Sequence, residues 1–448
     1  MYKILVFLCL ATLVLTACVP AAPAPPAEET PNMDDSDEQL PLTMLHIDGI
    51  TEISSNDKAA YFLRSVPDKF CTAFLPEGWS ASYWPYTYIM AFRTDFATAT
   101  TRPLCVMQGC EHASPDCMAW FQVTGMHLQI YAGEDKLFWV HWIFEESYTS
   151  GTEPDIYYHE RDYAYIDISN TDGADKKRLY TAAAHDIIDI NMGFFYDGVH
   201  LTFTTAKMSA NTPWGESSLI TVHTDSGEVM GKYPLDSTTV LGIHDNEPLF
   251  LRTTPDPFRS QPDTGEYETL LFTIHPQSGE QTDRMRLNND SSHWFEGRWN
   301  GAVFVGLDQS TRDFIEFDID TAERRVIGSL PEEMDAESIQ TWSLFNTRLL
   351  LFYNGPNHPY YFDTETGVLT EYTLLRRTFS GEFWSVLILG ESDMEFFVVV
   401  GTQQYTIDSP IQYYEAVNSV GNRNVYAMIS KENYWNGIPD YREVVIMA

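Results

Sequence analysis

Five stretches of the chain repeat one design, and that repetition limits the fold more than any other feature. They read YAYIDISNTDG ending at Gly173, LITVHTDSG at Gly227, LFTIHPQSG at Gly279, FIEFDIDTA at Ala322 and PYYFDTETG at Gly367. Each is an alternating apolar strand, then Asp or His, then Ser or Thr, and usually Gly. The chemistry is that of a hairpin: short polar side chains cap the turn, and Gly supplies the positive φ that closes it. Another strand follows each turn, as in VLTEYTLL, and one precedes each unit, as in NTRLLLFYN. The turns recur at spacings of 54, 52, 43 and 45 residues. Periods of about 40 to 50 residues with several short strands each mark β-propeller blades. A sixth copy stands upstream in YTYIMAFRTDFATATTRPL, and the strands from DMEFFVVVGTQQYTID onward supply a seventh. The expectation is an all-β chain folded as a β-propeller of about seven blades, with six or eight as alternative counts and a sandwich pair or solenoid as the competing architecture. Only LPEEMDAESIQTW offers a short helix. LHIDGITEISSN, near the start, is expected to pair with the last blade and close the ring.

The N-terminus carries an address. One cation, Lys3, precedes an apolar run from Ile4 to Val14, too short to span a bilayer comfortably and followed by small residues. This reads as a secretory signal. It ends Leu15-Thr16-Ala17-Cys18, which resembles the lipobox of bacterial lipoproteins. On that match Leu15, Thr16 and Ala17 form the recognition segment, cleavage follows Ala17, and Cys18 carries the lipid. Acyl chains contribute about 0.8 kcal/mol per buried CH₂, so lipid on one cysteine anchors a protein without a spanning helix. Residues 18–42 then read as a tether rich in Pro, Ala and acid, with too little apolar surface to fold. Residues 43–448 are expected to be the propeller domain.

The formal net charge of −37 argues against nucleic acid as a partner. Aromatic residues make up 14% of the chain and cluster beside β-branched ones, which favours strands. No H-E-x-x-H, G-x-S-x-G, Walker or G-x-G-x-x-G motif is present, so no catalytic residue and no cofactor is expected. Trp79, Tyr83 and Trp84 in PEGWSASYWPYTY are candidates for a ligand platform, since aromatic faces on loops stack sugars or peptide side chains. Packing at a blade edge is the alternative.

LCVMQGCEHASPDCMAW, Leu104 to Trp120, places three cysteines around His112. Cys9 leaves with the signal and Cys18 takes lipid, so Cys71, Cys105, Cys110 and Cys117 remain. In an exported domain they read as disulfide candidates, with Cys110 to Cys117 and Cys71 to Cys105 as the favoured bridges. A metal site on Cys105, Cys110, His112 and Cys117 is the alternative. The long interval between the sixth-copy turn and Gly173 places these cysteines in an insertion between blades.

The lipobox, the Asp-x-x-Thr-Gly turns, the cysteine segment and ISKENYW ending at Trp435 together resemble bacterial cell-surface lipoproteins with a TolB-like or otherwise uncharacterised β-propeller domain. The resemblance covers most of the chain and implies architecture and location more than activity. It points to a protein held on the membrane by Cys18 and facing outside the cytoplasm. The propeller is expected to bind a protein, peptide or glycan. A cell-surface glycan or peptide hydrolase or lyase, with its site at the propeller mouth, is the alternative.

Overall fold

The computed structural model describes most residues from Leu40 to Ile446. Outside the description lie residues 1–39, 49–52, 66–85, 144–162, 208–216, 255–266, 290–295, 407–419 and 447–448, with a few single or paired positions. Cys18 and the lipobox, Cys71, Trp79, Tyr83 and Trp84 all fall outside it.

The strands form seven sheets, the blades of a propeller, antiparallel except for one short parallel pairing in each of the first and last. An entry segment, β1 (Thr43–Leu45) and β2 (Ile47–Asp48), precedes them. Blade I contains β3 (Ile53–Ser55), β4 (Ala59–Ser65), β5 (Tyr86–Asp95), β6 (Thr100–Pro103) and β7 (Trp120–Thr124). Blades II to VII occupy residues 126–181, 186–235, 238–289, 296–329, 339–371 and 375–443. First strands of neighbouring blades touch one another, so they line the centre. Fourth strands such as Val229–Leu235 and Arg324–Ser329 are largely exposed, so they form the rim. The second strands between them are the most buried, as in Leu201–Ala206 and Leu349–Phe352.

Alternating apolar residues meet their counterparts on the next blade at every seam. Phe314 of blade V stacks on Phe362 of blade VI at 3.8 Å, with both rings fully buried. Phe194 of blade III stacks on Tyr131 of blade II at 3.9 Å. The last seam joins Ile53, Phe62 and Phe96 of blade I to Phe397, Val399 and Met428 of blade VII, so the ring is closed.

The repeated turns join third strands to fourth strands. Asp318 accepts from the Thr321 amide at 2.9 Å, and Asp363 from the Thr366 amide at 3.0 Å. Where the repeat has His, the ring takes the same role: Nδ1 of His275 accepts from the Ser278 amide at 3.1 Å, and Nδ1 of His223 from the Asp225 amide at 3.2 Å. The closing glycines serve two purposes. Gly227 and Gly367 have φ of 72° and 70°. A Cβ there would also lie 2.7 Å from the Leu179 carbonyl oxygen and 2.6 Å from that of Ile327. Each glycine thus lets a turn abut the outer strand of the preceding blade.

The expected short helix is one 3-10 turn, Ala336–Ser338, capped by Asp335. ISKENYW forms α1 (Lys431–Trp435), with Ser430 as N-cap and Tyr434 and Trp435 buried in the seam between blades VI and VII.

Two expectations are corrected. LHIDGITEISSN does not pair with the last blade. Its strand β3 is the first strand of blade I, and closure comes from the other terminus: Val445–Ile446 pairs in parallel with β6, as Val445 opposite Thr100. The cysteine segment is not an insertion between blades. β6 and β7 both pair with β5 and together make one outer strand, interrupted after Pro103 and resumed at Trp120. The Leu104 amide donates to the Ala91 carbonyl, and the Ala91 amide donates to the Ala119 carbonyl, both at 2.9 Å. The excursion therefore leaves and rejoins the strand at one rung of the ladder.

Antiparallel order divides the ring into two faces. Turns between first and second strands and between third and fourth strands share one face, which is built of tight hairpins. Second strands end and third strands begin at the other; the residues between them in blades I, II, III, IV and VII lie outside the described residues. β1 begins at the hairpin face, where the Leu40 amide donates to the Asp197 carbonyl at 3.1 Å and the Leu42 amide to Asn246 Oδ1. It runs along the inner edge of blade III, pairing Thr43 with Tyr196 and Leu45 with Phe194.

Candidate metal centre

The excursion from Leu104 to Ala119 brings four chemically matched side chains together on the rim of blade I. The Sγ atoms of Cys105, Cys110 and Cys117 and a ring nitrogen of His112 all lie within 4.8 Å of one another. His112 Nδ1 is 3.3 Å from Cys117 Sγ. A tetrahedral ion with bonds of about 2.3 Å to sulfur and about 2.0 Å to nitrogen requires ligand edges of roughly 3.5–3.8 Å. The His112–Cys117 edge is that short, and the other edges, all within 4.8 Å, need to contract by about 1 Å at most to close on an ion.

The loop reaches this arrangement by a series of short turns. The Cys105 amide donates to the Pro103 carbonyl at 2.9 Å, and that of Cys110 to Met107 at 3.2 Å. The Cys117 amide donates to Ser114 at 3.0 Å, and the Trp120 amide to Cys117 at 3.0 Å. Gly109 and His112 adopt positive φ of 74° and 54°. Trp120 Nε1 donates to the His112 carbonyl at 3.0 Å, fixing the backbone that carries the imidazole. Cys117 is 3% exposed and packs with Met90, Ala119 and Trp120, while Cys105 and Cys110 close the cluster from the half-exposed side.

The thiols differ in acidity. Burial opposes ionisation of Cys105. Hydrogen bonds from the Met107 amide, the Cys117 thiol and the Met118 amide outweigh it and lower its pKa. Cys117 is pushed up to about 12 by burial and by the neighbouring Cys110 and Cys105 sulfurs, against a hydrogen bond from the Ala119 amide. Three thiolates cannot share this volume without a cation, and a bound divalent ion inverts that balance.

Cys105, Cys110 and Cys117 are free thiols, and no disulfide joins them. The favoured Cys110–Cys117 bridge is thus not formed in this structure, and Cys71 lies outside the described residues. The four residues brought together are those of the alternative metal set.

A second group was not legible in the sequence. His244 in blade IV lies 3.1 Å from Asp320 in the turn of blade V and 3.4 Å from Asp245. Arg284 sits 3.1 Å from Asp245 and 3.8 Å from Asp320. The guanidinium already supplies the positive charge these carboxylates need, so this is a seam network. A third, at the seam of blades I and II, centres on Asp167. Arg178 approaches it at 2.6 Å, and Lys176 lies over Phe121 and Trp139 at 4.2 and 4.3 Å. Burial and the nearby Lys176 and Arg178 hold the His141 pKa down to about 3, so that ring is neutral. An open polar hollow of about 610 Å³ lies on the hairpin face, lined by Trp299, Asn300, Asn346 and Thr347 and by the ion pair of Glu316 with Arg325.

No protein-family profile and no curated protein sequence matches the chain. Solved structures do resemble it. The β-propeller domain of the trilobed protease from Pyrococcus furiosus is 8% identical, with 90% of this chain and 96% of that one covered and a TM-score of 0.47. TolB from Acinetobacter baumannii is 12% identical, with coverage of 86% and 81% and a TM-score of 0.28. An acylaminoacyl peptidase from Pyrococcus horikoshii is 8% identical, with coverage of 90% and 52% and a TM-score of 0.44. The chain spans about half the length of that peptidase. The chain is similar to these structures at that level, and its propeller architecture rests on its own seven sheets.

Proposed function

We propose that this chain is a lipid-anchored, extracytoplasmic propeller that binds a protein, peptide or glycan on the face bearing its long connections. The observation that carries the reading is the asymmetry of the two faces. In five blades 9 to 20 residues separate the end of the second strand from the start of the third, and these strand ends share one face, while the described residues begin at Leu40 on the other. Long connections held on a rigid scaffold are where binding residues concentrate. A lipid on Cys18 would hold the ring on the membrane surface through the tether that follows it. Trp79, Tyr83 and Trp84 belong to residues 66–85, one of those connections.

The test has two arms. Cys18→Ala should leave unprocessed precursor or release the protein from the detergent phase, and unchanged partitioning refutes the anchor. For binding, the full chain in detergent is applied to peptide and glycan arrays. Signals should fall when Trp79, Tyr83 and Trp84 are changed to Ala and persist when Asn300 and Glu365 on the hairpin face are changed to Arg. The reverse pattern refutes the assignment of the face.

A further inference from the structure

We infer that Cys105, Cys110, His112 and Cys117 hold one thiophilic divalent cation, zinc by ligand chemistry, which closes the excursion in the outer strand of blade I. Two observations support this independently of what the propeller binds. The ligand atoms of all four residues converge within 4.8 Å, although they come from different turns of the loop. The loop also has little core of its own: among its described residues only Leu104, Cys117 and Ala119 are buried, and Val106, Met107 and Met118 stand 47%, 45% and 37% exposed.

The donor set selects the ion. Three sulfurs and one imidazole suit zinc or another soft first-row ion, whereas calcium and magnesium require oxygen ligands. All four coordination positions are filled by protein, so the centre is structural, with no vacant position for substrate. Binding displaces thiol protons to solvent, and the resulting charge of three thiolates and one dication is −1. The ion takes over the role of the expected disulfides: it joins the two ends of an excursion that leaves and re-enters one strand. It uses all three cysteines of the loop and does not call on Cys71, which lies outside the described residues.

The decisive experiment measures metal on the full chain, purified in detergent without chelator. Elemental analysis should find about one equivalent of zinc, as expected for a single closed four-ligand site. Replacement by Co²⁺ should give sulfur-to-cobalt charge-transfer bands and intense visible bands of a tetrahedral ion. Cys117→Ser should abolish both. Because that buried change may disturb folding, His112→Cys and His112→Ala serve as surface-side controls. The first should retain the metal with a red-shifted cobalt spectrum, and the second should lose it while far-ultraviolet circular dichroism stays unchanged. Metal-free protein with a mapped Cys110–Cys117 disulfide overturns the inference, as does zinc retained undiminished in both Cys117→Ser and His112→Ala. Neither result depends on membrane anchoring or on the ligand of the loop face.

Discussion

Arg442, close to the end of blade VII, donates through Nη2 to the carbonyl of Phe96 in the hairpin turn of blade I at 2.7 Å. Its Nη1 reaches the Ala97 carbonyl at 3.1 Å, and the same guanidinium pairs with Glu395 of blade VII. One side chain therefore ties the last blade to the first where the ring closes.

Replacing Arg442 with Ala removes two charge-assisted hydrogen bonds and leaves Glu395 without this partner. Hydrogen bonds to charged groups contribute about 1.5–3 kcal/mol each, less where solvent competes. We expect a loss of about 2 kcal/mol in denaturant unfolding. Deleting residues 444–448 should cost more, since it also removes buried Val444 and the pairing with β6. Equal stability of both variants and the native chain would show that the seam does not need this clasp.

The stacked pair of Phe314 and Phe362 should carry much of the seam between blades V and VI. Phe314→Ala leaves a cavity at a fully buried site, and such truncations cost about 3–5 kcal/mol. Phe314→Leu should recover more than half of that loss. Thermal unfolding of the two variants beside the native chain measures the difference.

Ala322 occupies a position where the sister turns carry Gly, and it adopts φ of 60°. A side chain in the left-handed region costs roughly 1–2 kcal/mol, partly offset by the extra freedom glycine gains on unfolding. Ala322→Gly should stabilise the protein by up to about 1 kcal/mol. Gly367→Ala should do the opposite and by more, since its Cβ would meet the Ile327 carbonyl oxygen at 2.6 Å. Paired urea titrations decide it; a destabilised Ala322→Gly contradicts the strain.

Asp308 is 3% exposed. Burial alone would raise its pKa, but the Ser310 hydroxyl, Arg324 and the amides of Thr311 and Ser310 hold it down at about 2. A folded-state pKa below the unfolded value of about 3.9 stabilises the protein at neutral pH, and the contribution fades as pH falls from about 4 to 2. The shift corresponds to about 2 kcal/mol. Asp308→Asn should therefore be less stable at pH 7 and lose less on acidification over that window. Parallel slopes for the two proteins would remove Asp308 as the cause.

The fold was readable because each blade repeats a local necessity. A turn that must abut the preceding outer strand calls for Gly, and a turn amide that needs an acceptor calls for Asp. His223 and His275 stand where the other turns have Asp, and their ring nitrogens accept turn amides in the same way. Closure was misread because Val445 and Thr100 are distant in sequence and their pairing is too short to leave a pattern. The cysteine loop was visible as a cluster, but its alternatives differ in which atoms converge. That depends on the positive φ of Gly109 and His112 and on the Trp120 indole, none of which spacing encodes. The interruption of one outer strand was equally hidden, since nothing in the spacing shows that β6 and β7 pair with the same strand, β5.

The position of β1 has a mechanical consequence. It lies along the inner edge of blade III, directed from the hairpin face toward the opposite one. Force applied to the chain ahead of Thr43 and resisted by the ring would pull along this strand. The bonds joining Thr43, Met44 and Leu45 to Tyr196, Phe195 and Phe194 would then be sheared together, the loading geometry in which a short ladder resists force best, and not unzipped one at a time.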